Sequence, residues 1–364
     1  MDTDRFYEYE KIGAEDTIRL ILLQPSVDLE ASIQCSLIRV TLEQCDKDVV
    51  EHYVALSYVW GDATLRRQIS VDGAKLEITA SLDCALRHLR DQSRLLRVWA
   101  DGICINQNDF EDRNHQVRMM SSIYLLARHT IIFLGPASSE SEVVMELLKS
   151  QDRRLDRPRR SSRNAQTALD QQLRSLVENH LLANAWFTRT WVLQELVLSA
   201  DPWVQLGSAR VRWDTLYHYA VVAEPSSREL RNARHMYEMG MARSRYMATK
   251  DKGNEESLQQ NDKQLLKLLK ARRGLGVSDG RDMIYAHLSL TDSATQEAMA
   301  IRYDLSVADV YESFARSTIS SAHNFSILFD IEDVDDLDER REDLPSWVPD
   351  VRRAFFLTSK FAIP

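Results

Sequence analysis

Apolar positions along this chain follow two periods, and the changes between them set out the elements. Tyr53–Trp60 (YVALSYVW) is β-rich and uncharged and runs into Gly61-Asp62, the pattern of a buried central strand ending in a tight turn. Gln68–Thr79 (QISVDGAKLEIT) alternates around Asp72-Gly73, which predicts a hairpin with a two-residue turn. In SLDCALRHLRDQ, Leu82, Ala85, Leu86 and Leu89 share one face of a helix whose expected cap is Ser81. Leu96–Asp101 reads as a second buried strand. Val117, Met120, Ile123, Tyr124 and Ala127 then recur at helical spacing in a helix expected to begin near Asn114. Thr130–Pro136 (TIIFLGP) is a third strand stopped by Gly135-Pro136, and Pro202–Gly207 (PWVQLG) is a fourth. Strand, helix, strand, helix, strand is the order of a parallel sheet with covering helices.

The flanks read differently. Residues 17–44 are short β-prone runs broken by Pro25, an accessory hairpin ahead of the sheet. Gln151–Gln166 is a basic insertion almost without apolar residues, a solvated loop or a phosphate or lipid contact. Beyond Gly207 helical spacing dominates, over 213–223, 228–249, 257–272, 279–290 and 306–321, and Asp330–Asp343 is an acidic loop. The expected organisation is an α/β domain over residues 1–207 and a mainly helical region over 208–364.

Composition narrows the class. The 364 residues are 44% hydrophobic, enough for a substantial core, and 46 basic against 55 acidic side chains give a net charge of −9, which argues against nucleic acid as the main partner. Four cysteines without a Cys-x-x-Cys pair suit a reducing, cytoplasmic setting. The N-terminus has no apolar signal core, and no apolar run approaches the ~20 residues of a membrane span. Nine scattered histidines show no ligand spacing, so no metal site is expected. Gly-x-Ser-x-Gly, Gly-x-x-x-x-Gly-Lys and His-Glu-x-x-His patterns are missing too.

The chemical question lies in Arg189–Ala200 (RTWVLQELVLSA). As a helix it puts Trp191, Glu195 and Leu198 on one face, while Val192, Leu193, Leu196 and Val197 cover most of the rest. Such a helix is normally buried, so the carboxylate of Glu195 calls for a partner or a ligand. Open parallel sheets bind ligands outside the carboxyl ends of their strands, at the switch point. Those ends read Trp60-Gly61-Asp62, Asp101-Gly102 and Gly135-Pro136. There Trp60 could stack on a flat heterocycle. Asp62, Asp101, Asn106 and Gln107 could bond sugar hydroxyls or an amide, and the glycines would let a ligand reach the backbone. Glu195 beside a ribose would steady the positive charge that develops when a nucleoside C–N bond breaks. Structural roles stand beside each of these: an ion pair with Arg189 or a surface position for Glu195, core packing for Trp60, and a turn cap for Asp101. Asn106–Asp109 could be a turn and helix cap, Cys104 an inert buried thiol, and Trp203 and Trp213 either core residues or a contact patch.

Taken together, YVALSYVWGD, ITASLDCALRHLR, the long RVWADGICINQND block with the helix and strand after it, and RTWVLQEL resemble a fungal heterokaryon-incompatibility (HET) domain over roughly residues 17–207. DGRDMIYAHLSL, IRYDLSVADVYESFA and LPSWVPDV resemble the segments that usually follow it. That family is associated with regulated cell death after non-self recognition, and it is distantly related to TIR domains, some of which hydrolyse NAD. The resemblance implies a TIR-like, flavodoxin-like sheet and a catalytic glutamate with tryptophan four residues earlier, a spacing that Trp191 and Glu195 reproduce. The segment 137–185 is a departure that ordinary TIR domains lack. The expectation is an NAD glycohydrolase with Glu195 catalytic and Trp60, Gly61, Asp62, Asp101, Asn106, Gln107, Arg189 and Trp191 around the nucleotide. NAD would be substrate rather than cofactor, and self-association or a regulatory protein would govern activity; a non-enzymatic signalling or oligomerisation module is the alternative.

Overall fold

The computed structural model describes residues 5–13, 15–47, 52–155, 163–222, 231–251, 268, 269, 272, 275–291, 293–322, 325, 327, 328, 331 and 340–352. Among them nine strands form one mixed sheet: β1 (Thr17–Leu23), β2 (Gln34–Thr41), β3 (Val54–Tyr58), β4 (Arg66–Val71), β5 (Ala74–Thr79), β6 (Leu96–Trp99), β7 (His129–Phe133), β8 (Pro202–Leu206) and β9 (Ala209–Arg212). Their order is β5-β4-β2-β1-β6-β3-β7-β8-β9. In the middle β6, β3, β7 and β8 run parallel. By chain position these are the second, first, third and fourth parallel strands, the flavodoxin-type order, with its switch point between β3 and β7.

The sheet is wider than a purely parallel one. β1 and β2 pair antiparallel as expected, and β1 also joins β6 antiparallel, so the N-terminal strands extend the sheet itself. The β4–β5 hairpin continues that edge beside β2, turning at Asp72 (φ +50°) and Gly73 (φ +80°). β1 is buried along nearly its whole length, which explains its apolar run, and its one charge, Arg19, is 3% exposed. That guanidinium meets Asp112 at 2.9 and 3.1 Å and the carbonyls of Cys104 and Glu10 at 3.1 and 2.8 Å. A buried charge persists only with such partners.

Among the described residues the helices are α1 (Leu42–Asp46), α2 (Ala80–Leu89), α3 (Asp101–Cys104), α4 (Phe110–Leu126), α5 (Ser139–Leu155), α6 (Arg163–His180), α7 (Val192–Leu198), α8 (Trp213–Tyr217), α9 (Arg231–Asp251), α10 (Asp282–Leu288), α11 (Ser293–Ala298) and α12 (Val307–Ala322). Three expectations need correction. The cap of α2 is Thr79, which accepts from Leu82 N at 3.2 Å, because the Ser81 hydroxyl is turned back to donate to the Val59 carbonyl. α4 starts at Phe110, not near Asn114, because Asp109 caps it by accepting from Glu111 N at 2.9 Å and Asp112 N at 3.3 Å. The basic insertion is helical at both margins, in α5 to Leu155 and α6 from Arg163, while 156–162 fall outside the described residues. Of the other expected segments, residues 223, 228–230, 257–267, 270, 271, 330 and 332–339 also fall outside them.

Two compact units divide the chain, Met1–Phe187 with Glu195–Ser244, and Thr188–Gln194 with Arg245–Pro364. The first holds the sheet. In the second, α10 is buried at every position from Asp282 to Leu288, and Tyr303 Oη donates to Asp282 Oδ1 at 2.6 Å. The Thr188–Gln194 segment is tied to this unit by Gly276 N donating to Thr188 O at 2.8 Å.

Candidate functional site

Alternation along β3 places Ala55 and Ser57 on one face and Leu56 and Tyr58 on the other. Ser57, the penultimate residue of the strand, is 1% exposed, and a hydroxyl so placed needs partners. It has two. Trp186 Nε1 donates to Ser57 Oγ at 2.7 Å, and Ser57 Oγ donates to Glu195 Oε2. Trp186 lies in a single 3₁₀ turn, Ala185–Thr188, completely buried, with Phe187 edge-on at 5.2 Å and Trp213 at 6.1 Å between ring centroids.

Glu195 sits in α7 and is 3% exposed. Helix ends leave carbonyls without intrahelical partners. Here Arg243 of α9 takes them up, donating to Leu196 O at 2.8 Å and to Ser199 O at 2.5 Å. The short helix is thus held at its C-terminal end while its carboxylate is turned inward, beside the carboxyl end of the central strand. The carboxylate neither faces bulk solvent nor lies far from that strand end.

A second group stands on the rim. Trp60 Nε1 donates to Asp101 Oδ2 at 2.8 Å, and Gln107 Nε2 donates to Asp101 O at 2.9 Å. Asp101 opens α3, directly after β6, so the residues that follow two neighbouring strands meet there. All three are half-buried. Gly61 (φ +69°) makes the turn out of β3 in the left-handed region that favours glycine. Asp62 is exposed and accepts from Thr64 N at 2.8 Å and Thr64 Oγ1 at 2.7 Å; these bonds, that of the hydroxyl first, hold its carboxyl below the usual value.

Three more residues were expected around the nucleotide, Asn106, Arg189 and Trp191. Asn106 N donates to Asp112 Oδ2 at 2.7 Å, Asn106 Oδ1 accepts from Asn108 N at 3.3 Å, and the residue borders a cavity of about 260 Å³ with Tyr9, Glu10, Arg19 and His115. Arg189 and Trp191 belong to the second unit, where Arg189 bridges to Gly276 and its carbonyl accepts from Arg272 at 2.8 Å.

At Gly102 the protein itself comes close: a Cβ would stand 2.6 Å from Tyr58 Oη and 3.0 Å from Leu82 Cδ2. Cys104 is fully buried, which pushes its thiol up to about 12, so it is no nucleophile near neutrality. Trp213 is 1% exposed and packs in the core, and Trp203 Nε1 donates to Asp201 at 2.8 Å. No cluster of three or more His, Cys, Asp or Glu side chains placed to hold a metal occurs among the described residues, and none of their helices is long and apolar enough to cross a membrane.

Ser57 and Trp186 were not singled out from sequence. The signal for Ser57 is a small hydroxyl in an apolar strand, but no local pattern pairs it with Glu195, 138 residues away.

The sheet and its inward carboxylate define an α/β protein of flavodoxin-type order with a sheltered acid at the end of its first parallel strand. Residues 53–195 match the family model described as Heterokaryon incompatibility protein (HET), a span that contains Ser57, Trp60, Asp101, Trp186 and Glu195. The chain is also 32% identical over 237 residues to Heterokaryon incompatibility protein 6, OR allele, of Neurospora crassa, covering 54% of this chain and 34% of that protein. Residues 53–195 are thus similar to a HET domain, and the chain spans about a third of the length of the curated relative it matches. No solved structure is significantly similar to it.

Proposed function

We propose that this chain is a HET-domain effector of regulated cell death in non-self recognition, and that it hydrolyses NAD at the nicotinamide–ribose bond through Glu195. The observation that carries this reading is the position of Glu195, 3% exposed and bonded to Ser57 at the carboxyl end of the central strand of a flavodoxin-ordered sheet. Ligands of such sheets bind outside that end, at the switch point. As nicotinamide leaves, the ribose acquires oxocarbenium character, and a carboxylate sheltered from water stabilises it far more than one in bulk solvent. Nicotinamide leaves as a neutral molecule from a cationic substrate, so no strong general acid is needed. The bonded group Trp60, Asp101 and Gln107 offers an aromatic face and polar atoms for the nucleotide. An enzyme that depletes NAD must be restrained, so self-association or a regulatory protein governs its activity.

The test is product analysis after the purified chain is incubated with NAD. Nicotinamide and ADP-ribose in equal amounts are expected. Cell killing by the expressed protein with NAD unconsumed, in the cell and in the tube, would replace this reading with a non-enzymatic signalling or oligomerisation module.

A further inference from the structure

The contacts around Ser57 carry a second step, which rests on the catalytic reading of Glu195 for its kinetic consequence but not for its geometry. An indole N–H donates and cannot accept. Trp186 Nε1 at 2.7 Å therefore occupies a lone pair of Ser57 Oγ, and the serine hydrogen is left to point at Glu195 Oε2. We propose that Trp186 and Ser57 are positioning residues that form a one-way donor relay, which fixes the Oε2 oxygen of the Glu195 carboxylate.

Three features support a built device rather than incidental packing. Its three side chains are each at most 3% exposed, so water does not compete for the hydroxyl. The donor comes from the turn Ala185–Thr188 and the acceptor from α7, so the relay ties two parts of the chain to the rigid central strand. The indole is fully buried and packs against Phe187 and Trp213, at 5.2 and 6.1 Å between ring centroids. Bonds in such a chain also polarise one another, which strengthens the terminal bond to the carboxylate.

The test has one arm that needs no activity and one that does. In protein labelled with ¹⁵N-tryptophan, the Trp186 indole N–H peak is assigned by its loss in Trp186→Phe. It is expected to move in Ser57→Ala, to move in Glu195→Gln although that residue does not touch the indole, and to stay near its original position in Ser57→Thr. A peak indifferent to Glu195→Gln overturns the relay whether or not the protein is an enzyme. In nicotinamide release, Ser57→Ala is expected to lower kcat by up to about 100-fold with KM little changed, as for a misplaced catalytic group. Ser57→Thr, which keeps the hydroxyl, should retain most of kcat, with folding of both variants confirmed by melting temperature. Equal kcat in wild type and Ser57→Ala, or equal losses in the alanine and threonine variants, overturns the positioning role. If wild type releases no nicotinamide, the catalytic reading falls and the indole peak alone decides the relay.

Discussion

At the scale of single residues, the costliest contacts are those that hold buried charge. Arg19 and Asp112 form an ion pair with side chains 3% and 7% exposed, and Arg19 also serves two backbone carbonyls. Removing one member strands the other without its counter-charge. Asp112→Ala is expected to lower unfolding free energy by about 3–5 kcal/mol, measured by urea denaturation. A loss below about 1 kcal/mol would mean that water reaches the pair. Crowding gives a different kind of sensitivity at Gly102. A methyl group there would overlap Tyr58 Oη, so Gly102→Ala should cost about 1–3 kcal/mol in the same assay, and Tyr58→Phe in that background should recover part of it.

At the scale of elements, two short pieces depend on how their ends are tied. α7 has only seven residues, too few to persist alone, and its terminal carbonyls rely on Arg243. Arg243→Met keeps much of the apolar stem and removes the donors. It should lower the melting temperature and cut nicotinamide release, and full release at unchanged stability would show that α7 is fixed by packing alone. The elements also show what could be read in advance and why. The four parallel strands were legible because each is a short apolar run closed by a turn signal, as in TIIFLGP, and the hairpin because Asp72-Gly73 tolerates positive φ. Boundaries shifted where a side chain chose a tertiary partner over a local one, as Ser81 did with Val59. The inward turn of Glu195 was suggested by an apolar helix surface that leaves it little else to face. Its link to Ser57 is not legible, because the two residues stand 138 positions apart and no local pattern joins them.

At the scale of the whole molecule, stability should fall on acidification through a group far from the candidate site in sequence. His287 is completely buried in the second unit, donating Nδ1–H to Met283 O at 2.9 Å. Burial first, and the positive charge of Arg272 second, depress its ring to about 3 from the ordinary 6.5. The unfolded chain therefore binds a proton below 6.5 that the folded chain refuses, so this stability is complete above that value and is lost as the pH drops towards 3. Between pH 7 and pH 5 the loss should be about 2 kcal/mol. His287→Asn should show a shallower dependence in urea unfolding at the two pH values, and an unchanged slope would remove His287 as the cause. The central claim, an inward acid that opens the nicotinamide–ribose bond, is tested most directly by the rate of nicotinamide release from NAD by wild type and Glu195→Gln at equal concentration and matched folding. The account predicts turnover by wild type and a loss of at least about 100-fold in the variant. Comparable rates for the two proteins, or none from either, would contradict it.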